Sequence, residues 1–397
     1  MEKPITDEVK IDNVLSRGVE DIFVKEELKK DLMSGRILRI KLGVDPTSPK
    51  IHLGRAVLLR KLREFQNLGH QVVFIVGDFT AQVGDASDKT EKRPMLTRAQ
   101  IDENLKDYKS QISKIIDITK TEFVYNNDWL SKLSFQELVK LAECFSVQQM
   151  LARRNFKERY EKGVEISLRE FLYPIMQGYD SVAVKADVEL GGFDQLFNLK
   201  AGRIIQEYFG MPKQHVLTCE MLSGTDGRKM SSSWGNVITI VDEPNQMFGK
   251  VMSIHDDMIL KYFKLCTDVS LEEIASFEKD MKEGANPRDI KMRLGTELVT
   301  LYHSEKDAAL AKNSWTETFS KGGLPEKIEE FKVSSGKEIG DVLIENKIVS
   351  SKTDWRRLIK EKAVTDADGN IISDSKEKVR NITLKIGKKR FAKIIVS

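Results

Sequence analysis

Cysteine is scarce in this chain: Cys144, Cys219 and Cys266 lie far apart among 397 residues, and no Cys-x-x-Cys pair exists. That spacing excludes a disulfide scaffold and argues against a zinc site, and it makes a reducing, cytoplasmic location the expectation. Long hydrophobic runs are missing as well. No stretch of ~18 apolar residues offers a membrane span. The opening segment, Met1 to Glu8, is charged and lacks the apolar stretch of a signal peptide. An excess of one charge is also lacking, since 64 Lys and Arg face 61 Asp and Glu. A uniformly basic nucleic-acid arm is therefore excluded. Neither an internal repeat nor a low-complexity tract occurs. What is present is a chain that is 40% hydrophobic, long enough for two or three domains of ~100–200 residues.

The charge that exists is unevenly spread. From Phe331 to Ser397 the net charge is +7, which leaves −4 on the rest. A basic C-terminal module on a mildly acidic body follows. Lys321-Gly322-Gly323-Leu324-Pro325 reads as the link, because Gly-Gly followed by Pro breaks helix and strand alike. Ile37 to Val44 has the alternation of a strand, Leu53 to Leu68 has helical apolar spacing, and Gln71 to Val76 is a near-continuous apolar strand. Strand–loop–helix–strand is a βαβ unit with parallel strands, and such sheets bind nucleotides at the C-terminal strand ends. Asp102 to Ile116 and Ser134 to Arg154 show helical spacing within a polar stretch from about 97 to 162, and Asp256 to Lys321 is helical without a convincing strand.

Two loops stand out. Asp45-Pro46-Thr47-Ser48-Pro49-Lys50-Ile51-His52-Leu53-Gly54-Arg55 joins a strand end to a helix start, where free backbone N–H groups favour an anion. His52 can donate to a phosphate oxygen there, Gly54 leaves room for a flat base, and Arg55 adds a fixed charge. Neither a P-loop nor a Gly-x-Gly-x-x-Gly turn precedes this helix. A His at a helix start is by itself more often a cap than a catalyst. The second loop, Gly224 to Asn236, is rich in glycine and small hydroxyl residues and carries Lys229-Met230-Ser231-Ser232-Ser233. A loop so composed can close on a polyphosphate and stabilise charge growing in a transition state, although alone it would pass for a surface turn. Tyr173, Gln177 and Asp180 fall at i, i+4 and i+7, one face of a helix.

Taken together, His52-Leu53-Gly54-Arg55 and Lys229-Met230-Ser231-Ser232-Ser233 resemble the two signatures of the class I aminoacyl-tRNA synthetases. Gly77 to Asp85, Tyr173 to Asp180 and Glu189 to Gln195 are similar to segments of the bacterial tyrosyl enzymes, and Ile339 to Val364 looks like an S4-type RNA-binding unit. The resemblance covers essentially the whole chain. It implies an α/β fold with a Rossmann-like parallel-sheet catalytic domain over 1–250 that holds a helix-rich, dimer-forming insertion at about 97–162. A helical anticodon-binding domain over 251–325 and a small α+β S4-like domain over 331–397 would follow. The implied reaction joins L-tyrosine to tRNA(Tyr) by way of tyrosyl-adenylate, with Mg²⁺ arriving on ATP and no dedicated protein metal site.

The same resemblance implies roles residue by residue. His52, Arg55 and Lys229 would act in catalysis. Lys41, Asp85, Tyr173, Gln177, Asp180 and Gln195 would hold tyrosine, with Asp180 accepting from its phenol. Asp45, His52, Gly54, Gly192, Asp194, Lys229, Ser231 and Ser233 would hold ATP. Lys352, Arg356, Arg357 and Lys360 would meet RNA phosphates, with Lys388, Lys389 and Arg390 as a second basic group. Trp355 among them is either a stacking platform or, more commonly for such a residue, core. Four departures accompany the likeness: Arg55 where His or Asn is usual, Ser232 where a second lysine is usual, Lys41 where many bacterial members carry tyrosine, and Phe193 where Ser or Thr is common, for which the sequence offers no physical account. Arg55 is expected to give pyrophosphate the cationic partner that Ser232 cannot. Two other readings remain, a tryptophanyl enzyme on the same fold and an RNA-binding protein without aminoacylation activity.

Overall fold

The computed structural model describes residues 3–85, 95–320, 328–367, 369–387 and 390–396. They fall into two compact units, Met1–Glu243 with Lys250–Leu294, and Pro244–Gly249 with Gly295–Ser397. The division cuts through the helical stretch expected as one domain over 251–325. The expected link at 321–325, and Lys388 and Lys389, lie outside the described residues.

The first unit is built on a six-stranded sheet of β1 (Val19–Phe23), β2 (Arg39–Val44), β3 (Gln71–Val76), β4 (Thr121–Tyr125), β5 (Val188–Gly192) and β6 (His215–Cys219). Their order is β1-β6-β5-β2-β3-β4. Only β1 runs antiparallel, against β6. The chain winds outward from β2 through β3 to β4, then returns to β5 and winds the other way to β6. The switch point therefore lies between β2 and β5, where a doubly wound sheet opens a crevice at its strand ends. Val72, Val73, Phe74 and Ile75 of β3 are wholly buried, as a strand covered on both faces must be.

The helix Leu53–Asn67 follows β2. His52 caps it by accepting from the Arg55 amide, and Gly69 at φ +90° helps turn the chain out of it after Leu68. Its inner face sets Leu53, Leu62 and Phe65 at zero exposure, each worth ~2 kcal/mol of burial. The helix Leu168–Ala183 packs on the helix Leu196–Tyr208. Gly178 makes that approach possible, since a Cβ there would stand 3.0 Å from the Ala201 carbonyl oxygen.

Sequence and structure part company at the sheet edges. β1 and β4 carry no periodic apolar signal, because edge strands are half solvated. The helix expected from Asp102 to Ile116 is two, Arg98–Leu105 and Tyr108–Ser113. That expected from Ser134 to Arg154 divides into Phe135–Ala142 and Val147–Leu151, with Ser134 and Ser146 each forming a capping box.

In the second unit the C-terminal residues form β7 (Glu330–Val333), β8 (Val364–Asp366), β9 (Ile382–Ile386) and β10 (Arg390–Val396), in the order β7-β10-β9-β8. Two short helices, Ile339–Glu345 and Lys352–Lys360, cover them. Trp355 is core at 3% exposure, its indole N–H donating to the Ser375 carbonyl at 2.9 Å.

Candidate active site

A cleft of about 450 Å³ opens at the switch point. Asp45, His52, Gly54, Arg55, Asp85, Tyr173, Gln177, Gly192, Asp194, Gln195, Lys229, Ser231 and Ser233 all line it. Strand ends, loops, the start of the helix Leu53–Asn67 and one face of the helix Leu168–Ala183 thus bring thirteen expected residues together. Lys41 and Asp180 are not among its lining residues.

One end of the cleft is cationic. His52 Nδ1 accepts from the Arg55 amide at 3.3 Å. Burial, then the charges of Arg55 and Lys229, push the imidazole down to about 3. The ring is neutral at physiological pH, and with Nδ1 accepting, its proton sits on Nε2 as a donor. Arg55 is anchored twice, Nη2 donating to Thr47 Oγ1 at 2.6 Å and Nη1 to the Tyr108 hydroxyl at 3.2 Å. Lys229 Nζ rests on Asp194 Oδ2 at 2.8 Å, so a cation and a ribose-type acceptor share one contact. A Cβ on Gly54 would stand 3.1 Å from His52 Nδ1, which explains the glycine.

The loop bearing Lys229 is organised by a residue the sequence did not single out. The Asn236 side chain, 4% exposed, donates to Asp226 Oδ1 at 2.7 Å and the Lys229 carbonyl at 3.1 Å, and accepts from the Ser231 amide at 2.9 Å. The Asn236 bond, then Arg228, draws the Asp226 carboxyl down to about 2. Arg228 in turn lies over the Trp234 ring, 4.9 Å from its centre.

The other wall is a chain of carboxylates and amides. Tyr173 donates its hydroxyl to Asp45 Oδ2 at 3.0 Å, while Thr80 donates to Oδ1 at 2.7 Å. A Cβ at Gly77 would overlap that same Oδ1. With its proton committed, Tyr173 presents lone pairs to the cleft. Gln195 Nε2 donates to Asp85 Oδ2 at 2.6 Å, and Asn198 Nδ2 braces Gln195 Oε1 at 2.9 Å. Gln177, which lines the cleft, gives its amide N–H to Glu189 at 3.0 Å, so its side-chain oxygen is the atom with acceptor capacity to spare. Tyr173, Gln177 and Asp85 are together the acceptor set that a protonated amine requires.

Asp180 is 3% exposed on the same helix, one turn beyond Gln177. Trp129 Nε1 donates to its Oδ1 at 2.8 Å and Asn126 Nδ2 to its Oδ2 at 3.3 Å. Burial outweighs Lys41 and these donors, and the carboxyl is pushed up to about 7. Lys41 departs from the expected substrate contact. Strand register sets it opposite Glu189, and its ammonium pairs with Glu189 Oε1 at 2.9 Å, both groups at or below 1% exposure. It also donates to the Gln177 backbone carbonyl at 2.9 Å and to Ser181 Oγ at 2.8 Å. A buried ammonium must find a counter-charge, and the neighbouring strand supplies one.

Of the basic helix residues, Arg357 pairs with Asp354 and Glu361, and Lys352 with Asp341. Arg356 and Lys360 make no ion pair among the described residues, and both are exposed. Trp129, Asn126 and Tyr108 were not anticipated as part of the site, because only the fold brings them there; Thr47, Glu189 and Asn236 lie in segments the sequence singled out, but no role was assigned to them.

Residues 33–320 match the family of tRNA synthetases class I (W and Y). The tyrosine–tRNA ligase of Thermotoga maritima is 45% identical over 386 residues, 96% of each chain. That of Dehalococcoides mccartyi is 46% identical over 393 residues, covering 98% of this chain and 99% of its own. The crystal structure of the Archaeoglobus fulgidus tyrosyl-tRNA synthetase complexed with L-tyrosine shares the fold, with a TM-score of 0.61 over 77% of this chain and all of that one, at 22% identity. The chain belongs to the class I tRNA synthetases of the tryptophan and tyrosine type, among the tyrosine–tRNA ligases.

Proposed function

We infer that this chain activates L-tyrosine with ATP and transfers it to tRNA(Tyr). The observation that carries the reading is the cleft itself. His52, Arg55 and Lys229 converge at one end, and an amine-accepting wall of Tyr173, Gln177 and Asp85 lies at the other. The tyrosine carboxylate, ionised at neutral pH, attacks the α-phosphorus of ATP and expels pyrophosphate. No base is needed, so positioning and charge stabilisation supply the rate. Neutral His52 donates from Nε2, Arg55 takes pyrophosphate charge in place of the lysine absent at Ser232, and Lys229 leaves Asp194 for the phosphates. Asp194 is then available to a ribose hydroxyl, beside Gly192. Asp45, Ser231 and Ser233 border the same nucleotide end. Mg²⁺ would enter as part of MgATP, held by phosphates and water.

Asp180, one turn past Gln177 and braced by Trp129, is the acceptor assigned to the substrate phenol. Phenylalanine would leave it unpaired, a discrimination for which tyrosyl-tRNA synthetase is itself the standard worked case at ~10⁵-fold. Arg356 and Lys360, without ion pairs among the described residues, are the cations assigned to RNA phosphates. Phe135, Val139, Tyr160 and Leu168 expose apolar side chains in and beside the insertion, which suits a homodimer interface there. A cytoplasmic place fits the free cysteines, and no described helix is long and apolar enough to cross a membrane.

ATP–pyrophosphate exchange with each of the twenty amino acids tests the reading. Exchange driven by tyrosine is expected; exchange driven by tryptophan, or none, overturns it.

A further inference from the structure

The loop between β2 and its helix, together with the first turn of that helix, carries His52 and Arg55, yet it is not self-supporting. Its backbone is held from outside by the helix pair Arg98–Leu105 and Tyr108–Ser113. Asn104 Nδ2 donates to the Pro46 carbonyl at 2.8 Å. Gln111 donates to the Pro49 carbonyl at 2.7 Å and accepts from the Ile51 amide at 2.8 Å. Between them, the Tyr108 hydroxyl accepts from Arg55 Nη1 at 3.2 Å. Asn104 stands near the end of the first helix, and Tyr108 and Gln111 stand at i and i+3 on the second, so three polar groups from the pair hold the segment at Pro46, at Pro49 to Ile51, and at Arg55 in the first turn of its helix. Gln111 and Tyr108 are 4% and 3% exposed. Groups so buried cost free energy unless bonded, and these spend their bonds on the loop.

We propose that Tyr108, with Asn104 and Gln111, is a positioning residue for the adenylation step: its hydroxyl fixes the Arg55 guanidinium where the leaving pyrophosphate develops charge. Thr47 Oγ1 holds the opposite arm of the guanidinium at 2.6 Å. Two anchors on separate elements, one from the β2 loop and one from the helical insertion, hold the fork against rotation. Arginine presents its donors in a fixed plane, so its orientation decides which of them face a phosphate. A long, otherwise mobile side chain thereby meets the transition state already oriented, and the cost of ordering it is not met during reaction. The insertion expected only to pair subunits has a second face turned to the chemistry.

This inference rests on the reading of Arg55 as the pyrophosphate contact, and the test separates the two. Tyr108→Phe keeps the buried ring and removes only the hydroxyl. In the full-length protein, pyrophosphorolysis of enzyme-bound tyrosyl-adenylate should show the KM for pyrophosphate raised about tenfold, the net worth of a hydrogen bond to a charged group. The Kd for tyrosine should stay within about twofold, a split that general loosening of the fold does not give. Arg55→Gln should raise the same KM further, and Tyr108→Phe added to Arg55→Gln should cost nothing more, because the hydroxyl acts through the guanidinium. If Arg55→Gln impairs pyrophosphate use while Tyr108→Phe does not, or if the two effects simply multiply, the positioning role is wrong. If Arg55→Gln itself leaves the pyrophosphate KM unchanged, the parent reading fails instead.

Discussion

Tyrosine binding should carry a pH dependence set by one buried carboxyl. Asp180 sits near pH 7 in the empty protein because burial disfavours its charge more than Lys41, Trp129 and Asn126 favour it. Its ordinary value is 3.8, so the ionised form is held at a cost of about 4 kcal/mol. A raised carboxyl pKa makes the fold more stable below about pH 4 and less so as pH climbs through 7, the reverse of a salt-bridged aspartate. Substrate reverses part of this. A phenol donating to the ionised carboxylate is worth ~2.5 kcal/mol, which draws the carboxyl back down in the complex. Between pH 8 and pH 5.5 the Kd for tyrosine should then rise about 20-fold, with proton release on binding near pH 6. The substrate amine and carboxylate do not titrate in that window, and His52, near 3, stays neutral throughout. Calorimetry without ATP, in buffers of differing ionisation enthalpy, reads both quantities. Asp180→Asn should bind weakly with a flat profile. A flat profile in the parent protein, or an equal slope for phenylalanine, would refute the assignment of Asp180 to the phenol.

Other consequences are simpler to check. Asn236→Ala removes three bonds that fix the backbone on either side of Lys229, so kcat for adenylate formation should fall by about 10–100-fold in single-turnover assays while tyrosine affinity is kept. Replacing Arg356 and Lys360 together by Glu should weaken tRNA charging and lower its salt slope by about 2, leaving ATP–pyrophosphate exchange intact. The same exchange on Lys352 or Arg357, which are already paired, should do less. Phe135→Asp places a charge on a side chain 81% exposed in the single chain, and sedimentation is expected to show a dimer for the parent and monomers for the variant.

How much of this could be read beforehand follows from which interactions are local. The strand–loop–helix start at β2, the helical spacing of 173, 177 and 180, and the two glycine-bearing loops are short-range patterns, and all of them found their places in the fold. β1 and β4 escaped because an edge strand needs no continuous apolar run, and the internal β5 and β6 escaped because each is only five residues long, with Glu189 and two glycines in one and His215 and Thr218 in the other. The helix expected to run from Ser134 broke where Ser146 offers a second capping box, a signal present in the sequence but overridden by apolar spacing. The partners of the site residues were out of reach for a different reason. Trp129 meets Asp180 across 51 positions, and Tyr108 meets Arg55 across 53. Nothing in the composition of either segment marks the pairing.

Lys41 shows how such a pairing changes the meaning of a residue. Taken alone, a lysine in place of a tyrosine near the substrate phenol suggests a new substrate contact. Set in β2 opposite Glu189 of β5, it is half of a pair, and the other half also receives Gln177, Ser181 and Gln214. The pair therefore orients the very amide that faces the amine and biases the charge of Asp180 from behind. Restoring tyrosine at 41 alone would strand the Glu189 carboxylate without a counter-ion, a defect of about 3–5 kcal/mol for a broken buried pair. Changing Glu189 to Gln at the same time should recover much of the loss. Lys41→Tyr should accordingly unfold at lower temperature than Lys41→Tyr with Glu189→Gln. If the single variant is the more stable, the two residues are not the coupled unit that their register implies, and the substitution at 41 acts on the substrate directly.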